Sequence, residues 1–222
     1  NPVMDNRQPN HAWLADHVHL AWRGSDIVIL DVLNDAYSCL VGAAEHIRIS
    51  DAGNAVLAHP DILDDLLLAD LITKRPPGVR RTSCPPPTRT LPLHQTTTAS
   101  GILGVGLNAV GGALAFRDRT FAELAVPLPP PRSSQPCPQA FERLQHQVSA
   151  FCMLLPWLPF QGQCLHRAFM LRRLLARRGL SVHWVFGVRT WPFMAHCWLQ
   201  AGDTLVADDL DRVLGFTPIL VV

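Results

Sequence analysis

The sequence predicts an α+β protein in two parts, a small winged-helix-like module followed by a larger domain of helices and strands. Three observations carry this. Alternating apolar runs with tight turns open the chain, a stretch dense in proline interrupts it, and a long amphipathic helix starting at Cys164 leads into a hairpin that carries His196 and Asp208.

The first part, residues 1–75, begins as a meander. His17 to Trp22, Ile27 to Val32 and Ala36 to Leu40 read as short strands, with Arg23-Gly24-Ser25-Asp26 and Asn34-Asp35 as the turns. Helical patterns follow over Val41 to Ile49, Gly53 to His59 and Pro60 to Thr73. In the last, Pro60 suits a helix start, and Ile62, Leu63, Leu66, Leu67 and Leu71 form an apolar face. Residues 76–98 hold Pro76, Pro77, Pro85, Pro86, Pro87 and Pro92, which oppose both helix and central strand, so this stretch reads as an extended linker.

The second part, residues 99–222, opens with helices over Ile102 to Phe116, Phe121 to Val126 and Gln139 to Leu155. A proline cluster from Pro127 to Pro138 forms a loop between the last two. The helix Cys164 to Arg178 places Cys164, Ala168, Leu171 and Leu175 on one face and stops at Gly179. Strands resume over Ser181 to Val188, Ala195 to Gln200 and Thr204 to Asp208, with Gly202-Asp203 at the hairpin turn.

Of the 222 residues, 48% are hydrophobic, enough for a buried core, and the formal net charge is +1. That balance gives no reason to expect nucleic acid or a membrane surface as the main partner. The arginines Arg172, Arg173, Arg177 and Arg178 read as a solvated helix face. The most apolar run, Gly101 to Phe116, is short for a bilayer span and contains glycines where a neighbouring helix could come close. The six cysteines show no CxxC spacing, and no secretory signal opens the sequence, so they are expected to be reduced thiols in the cytoplasm.

Cys164, His196 and Asp208 carry the chemistry. A thiol at a helix start is disposed to ionise, because exposed N–H groups and the helix dipole favour the thiolate. A histidine in reach can take its proton, and a carboxylate can fix the imidazole tautomer. Hairpin register leaves the acid open: a three-residue loop, Ala201-Gly202-Asp203, opposes His196 to Asp208, and a two-residue loop opposes it to Asp209. Strand alternation puts Cys197 on the face opposite His196, as a packing residue, and lets Trp198 wall the site. The Cys164 backbone N–H, with the side-chain amide of Gln161 or Gln163, would form an oxyanion hole. A metal site on Cys164, His166, His196 and Asp208 is the rival reading, disfavoured because no HExxH or paired-cysteine spacing is present.

The segments Cys164-Leu165-x-Arg167-Ala168-Phe169, Gly187-Val188-Arg189 and Pro192-Phe193-x-Ala195-His196-x-Trp198, followed by Asp208, resemble the lasso peptide leader peptidases, the lasso peptide B proteins. The resemblance implies a transglutaminase-like, papain-like cysteine protease domain with Cys164, His196 and Asp208 as its catalytic residues. It therefore implies the three-residue loop. It implies no cofactor and no metal. Cys197 stands where alanine is usual, so alanine is expected to serve there, and Leu199-Gln200 replaces a more common Val-Glu. The first part is similar to small pyrroloquinoline-quinone-type peptide chaperones, which implies leader binding as an added strand at Tyr37, Ser38, Cys39 and Leu40, against a helix face of Leu63, Leu66 and Leu67. The implied function is removal of the leader from a ribosomal precursor peptide, with the freed core passed to an ATP-dependent lasso cyclase. No nucleotide-binding loop is visible in this chain. Acyl transfer to an amine on the same fold, and a non-catalytic precursor scaffold, are the alternatives.

Overall fold

A computed structural model describes residues 12–50, 55–78, 81–93, 99–127, 138–157 and 164–222. The chain divides into two compact units, Asn1–Arg81 and Thr82–Val222.

The first unit contains β1 (Ala12–Leu14), β2 (Val18–Arg23), β3 (Asp26–Asp31), β4 (Ala36–Leu40), β5 (Arg48–Ile49), β6 (Ala55–Leu57), α1 (Pro60–Leu68) and β7 (Ile72–Thr73). Strands β2, β3 and β4 form the expected antiparallel meander, in that order. Gly24, at φ 62, makes its first turn, and the Asp31 carboxylate closes the second by accepting the Leu33 and Asn34 backbone N–H groups at 3.0 and 3.1 Å. A second sheet runs β5-β6-β1-β7.

Two of the three expected helices are absent here. Residues Val41 to Ile49 hold only a 3₁₀ turn at Ala43–Glu45 and then β5, and Ala55–Leu57 is a strand. Val56 is buried while Leu57 is exposed, the alternation of a half-buried strand, and runs this short do not separate helix from strand by pattern. Helix α1 also stops early. Asp70 turns at φ 57, and Ile72 pairs with Leu14 instead of continuing the helix. The winged-helix-like expectation therefore survives only as a meander and one helix. Ile27, Ile29, Leu63, Leu66 and Ile72 lie in the core of this unit. Its last residue, Arg81, donates to the Ala15 carbonyl at 3.1 Å and sits 2.8 Å from His19 Nδ1. Burial, then the Arg81 charge, pushes His19 down to about 3, so it stays a neutral acceptor.

The second unit contains β8 (Arg89–Thr90), α2 (Ala99–Phe116), α3 (Phe121–Leu124), α4 (Pro138–Leu154), α5 (Cys164–Arg177), β9 (His183–Arg189), β10 (Met194–Ala201), β11 (Thr204–Val206), α6 (Leu210–Leu214) and β12 (Thr217–Val221). One sheet runs β12-β9-β10-β11-β8, with only the β11–β8 pair parallel. Strand β8 corrects the linker reading, since part of the proline-rich stretch is an edge strand, where missing N–H donors are tolerated. Thr88 N–H donates to the Asp203 carbonyl at 2.9 Å, and Leu91 N–H to the Leu205 carbonyl at 2.8 Å.

Helices α2, α4 and α5 pack on one another, and α5 also packs on β10. A Cβ at Gly112 would lie 3.2 Å from Met170 Cγ, so glycine lets α2 approach α5. Gly179, at φ 70, ends α5, and the Leu180 N–H returns to the Leu175 carbonyl at 2.9 Å. Arg172 departs from its expected solvated face. It is 4% exposed, lies 5.5 Å over the Trp184 ring and donates to the Val126 carbonyl at 3.1 Å. Burial lowers its pKa to about 10, so it remains a cation near neutrality. No helix among the described residues is long and apolar enough to cross a membrane.

Candidate active site

Cys164 is the first residue of α5 and is partly exposed, whereas His196 and Cys197 lie buried in the central strand β10. The helix start thus meets the middle of the sheet, the stiffest place available to hold an imidazole.

The acid arrives by an unexpected route. The hairpin pairs Ala201 with Thr204, Gln200 with Leu205 and Leu199 with Val206. Its loop is Gly202-Asp203, with Gly202 at φ 61, so the expected three-residue loop is wrong. Continued in that register, the strand would set Asp209 against His196. It does not continue: β11 ends at Val206, and Ala207 turns at φ 55. That turn redirects the chain and brings Asp208 Oδ2 within 2.8 Å of His196 Nε2. Asp209 instead caps α6, its carboxylate accepting the Arg212 N–H at 2.8 Å.

Asp208 is heavily partnered. Its Oδ1 accepts the Asp209 N–H at 2.8 Å, and its Oδ2 also meets Arg167 at 3.3 Å. Burial pushes its carboxyl up, but the His196 bond, the Asp209 N–H and the nearby cations outweigh burial and hold it below the usual range. For His196, burial favours the neutral ring. Its bond to Asp208 and the approach of the Cys164 sulfur more than offset this, so its pKa is raised. With Nε2 committed to Asp208, Nδ1 is the ring nitrogen left for Cys164. Nδ1 makes no hydrogen bond of ordinary length, so the sulfur is an approach rather than a closed bond.

The Cys164 thiol is lowered to about 4, first by hydrogen bonding with Cys197, then with His196, while burial opposes both. The Cys197 backbone and the His196 charge add to the lowering. Alternation along β10 gives the burial of Cys197 correctly. It is a buried packing residue, 3% exposed, but its thiol also reaches the nucleophile candidate.

Around His196, Phe216 lies at 5.5 Å and Trp198 at 6.2 Å between ring centroids. Trp198 crosses over Gly187, the residue paired with His196 on β9. A Cβ there would come within 2.7 Å of the indole and 3.0 Å of Phe216 Cβ, so glycine is what lets these rings close on the imidazole. Trp198 is buried and donates to Gln200 Oε1 at 3.2 Å. His166, the rival metal ligand, stacks on Phe116 at 4.3 Å instead of joining Cys164. Among the described residues no three His, Cys, Asp or Glu side chains gather as a metal-holding group. The oxyanion candidates Gln161 and Gln163 lie outside the described residues. Arg167, Gly187 and Phe216 were not foreseen as site residues. Arg167 and Gly187 both stand in the motif segments, and Arg167 also lies three positions after Cys164, on the same side of the helix; Phe216 carried no signal.

The leader-binding candidates separate into two groups. Tyr37, Ser38, Cys39 and Leu40 lie on β4, at one edge of the meander. The Val32 N–H bonds the His17 carbonyl at 2.9 Å, so by alternation Ile27, Ile29 and Asp31 turn their backbone groups toward β4. Their partners Leu40, Ser38 and Ala36 are turned inward, leaving Cys39 directed to the outer edge. Leu63 and Leu66 are buried in the core of the unit, with Leu67 and Leu40 packed against them, so they support the strand rather than offer a surface.

A helix-start thiol, a strand histidine and a following aspartate on a mostly antiparallel sheet are the groups that cysteine-dependent acyl transfer requires. The model of the transglutaminase-like superfamily matches residues 108–221, and the chain belongs to that superfamily. It is also similar to the microcin J25-processing protein McjB of Escherichia coli, 31% identical over 65 residues. That match covers 29% of this chain and 31% of McjB, so it spans about a third of the relative's length. No solved structure matches the chain.

Proposed function

We propose that the protein is a cysteine endopeptidase that removes the leader from a ribosomally made lasso-precursor peptide. The observation that carries this reading is the line from the Cys164 sulfur through His196 to Asp208, with Nε2 held at 2.8 Å by the carboxylate. The superfamily match and the likeness to a protein named for processing microcin J25 support it.

The chemistry follows from that line. The Cys164 thiolate attacks the carbonyl of the last leader residue, and the backbone N–H at the start of α5 receives the developing oxyanion. As the tetrahedral intermediate collapses, His196 gives its Nδ1 proton to the core amine, which leaves, and the leader remains as a thioester on Cys164. His196 then takes a proton from water at Nδ1, the water adds to the thioester, and leader carboxylate and thiol are released. Asp208 keeps the proton on Nε2 throughout, so that Nδ1 is the nitrogen that exchanges. The first unit would bind the leader along the outer edge of β4, and the freed core amine would go to an ATP-dependent cyclase. The cytoplasm is the compartment this reading implies.

Incubation with a lasso precursor followed by mass spectrometry tests it. Two fragments summing to the precursor plus one water are expected, absent with Cys164→Ala. Intact precursor would overturn the reading. A leader joined to an added amine would establish acyl transfer instead, the reading the superfamily match also admits.

A further inference from the structure

We propose that the tip of the β9–β10 hairpin, formed by Trp191, Phe193 and Met194, is the subsite for the core side of the scissile bond, and that it takes an apolar side chain from the second or third core residue. The inference rests on the proposed leader cleavage, and it gives a role to the Pro192-Phe193 segment, which the chemistry leaves unused.

Strand β9 ends at Arg189, β10 begins at Met194, and those two residues pair, so residues 190–193 form the loop between them. Trp191 to Ala195 are five exposed residues in a row, all apolar. Trp191 is 73% exposed, Phe193 48% and Met194 39%. Single exposed apolar residues are ordinary on a surface, but a contiguous apolar run marks a place where something binds. The backbone of the tip is unusual as well. Trp191 adopts φ 56, a conformation that suits glycine or asparagine and disfavours a bulky side chain. Neither local propensity nor burial accounts for a tryptophan there, and such conflicts collect at functional sites.

The tip is continuous with the imidazole. Along β10 only Met194 and Ala195 are exposed, and the strand is buried from His196 to Gln200. A peptide at His196 therefore has one open course along this strand, toward the tip. Met194 and His196 stand two apart, on one face of the strand. Phe216 lies 5.5 Å from His196 between ring centroids, and the Arg189 guanidinium lies 5.4 Å over the Phe216 ring. That guanidinium also meets the Met194 sulfur, which completes a wall from the imidazole to the tip.

The chemistry sets which half of the substrate runs there. The acyl carbon bonds to Cys164, at the start of α5, and the departing amine takes its proton from His196, on β10. The leader half therefore lies toward α5 and the core half toward β10. An extended chain advances about 3.3 Å per residue. Met194 is two residues beyond His196, so the second or third core residue reaches the tip. Indole, phenyl and thioether surfaces favour an apolar side chain there.

The test uses the full chain and a lasso precursor in two forms, with its second and third core residues both leucine or both serine. The kcat/KM for each is read by mass spectrometry, with circular dichroism as the folding control. The wild-type chain should prefer the leucine form by about tenfold. Trp191→Ser and Phe193→Ser should each reduce that preference, and the two combined should bring it near unity. Equal rates for the two forms in the wild-type chain, or a preference that persists in the folded double variant, would overturn the proposal. The same leucine-for-serine exchange at the last two leader residues should not respond to the tip, and a response there equal to that in the core would overturn the core-side placement. A wild-type chain that cleaves neither form would overturn the proposed function itself, a failure distinct from cleavage without preference.

Discussion

In the proposed function, strands β10 and β4 both handle peptide, the first by chemistry and the second by binding, and their surroundings differ in opposite ways. β10 is central, paired on both sides, and acts through side chains that converge with others from α5 and from the residues after β11. β4 is an edge strand, mostly exposed, and what it offers is backbone. A central strand fixes an imidazole because it cannot move; an edge strand receives a guest because one of its sides is not used by its own sheet. Substitution should thus be punished by side-chain identity at β10 and by backbone donor loss at β4.

The sharpest test of that contrast is Cys164→Ala. Cleavage should fall by about 10³ or more while leader affinity, measured by calorimetry, stays unchanged. Loss of affinity as well would mean that recognition and chemistry are not divided. Asp208→Asn should come next, lowering kcat by about 10²-fold or more because the imidazole loses its carboxylate. Asp209→Ala should spare kcat and lower stability by about 1 kcal/mol through the lost cap, whereas Asp209→Asn should do little, since asparagine caps as well. Equal effects of the two aspartates on kcat would break the assignment.

Gly187→Ala should cost about 1–3 kcal/mol in thermal unfolding and lower activity, as the added Cβ forces Trp198 and Phe216 away from His196. The smallest effect belongs to the outer edge of β4, at Cys39. Cys39→Pro removes a donor directed at the outer edge and should weaken leader binding with a limited stability loss. Ser38→Pro removes a donor turned toward β3 and should unfold the meander. If the two prolines behave alike, the alternation is wrong.

The pH dependence follows from the same groups. Asp208, lowered on folding, contributes stability above its unfolded pKa and loses it as pH falls through the folded one. His196, raised on folding, contributes below its unfolded value near 6.5 and loses it as pH rises through the folded one. With Cys164 at about 4, the thiolate–imidazolium pair spans that interval. The kcat/KM profile should show an acid limb near 4 and an alkaline limb above 6.5.

What the sequence made legible was governed by local rules. The helix from Cys164 to its glycine stop is written in consecutive residues, and so is the Gly24 turn of the meander. Asp208 was reached on the resemblance, but the three-residue loop tied to it was wrong, because no pattern announces that Ala207 leaves the strand. Cys197 is the buried packing residue that alternation predicts, but its reach toward Cys164 was not read. Alternation says which face a side chain takes, not how near a crossing helix comes. The strands β5, β6 and β7 are two or three residues each and exist through pairing with distant partners, which pattern reading does not see. Strand β12 and helix α6 follow the last residue the motif drew attention to, and both went unread.

Strand β8 has a consequence for how such a protein is divided and recombined. Thr88 Oγ1 and Arg89 bind the Asp203 carboxylate at 2.9 and 3.0 Å, so the proline-rich stretch anchors the tip of the hairpin that leads to Asp208. The joint between the two compact units lies near residue 81, ahead of most of those prolines. A fusion made at residue 92 would carry away a strand of the sheet that holds His196 and leave an edge exposed. A fusion made at residue 81 would keep the second unit whole and, under the proposed division of labour, would let a different first unit be joined to it.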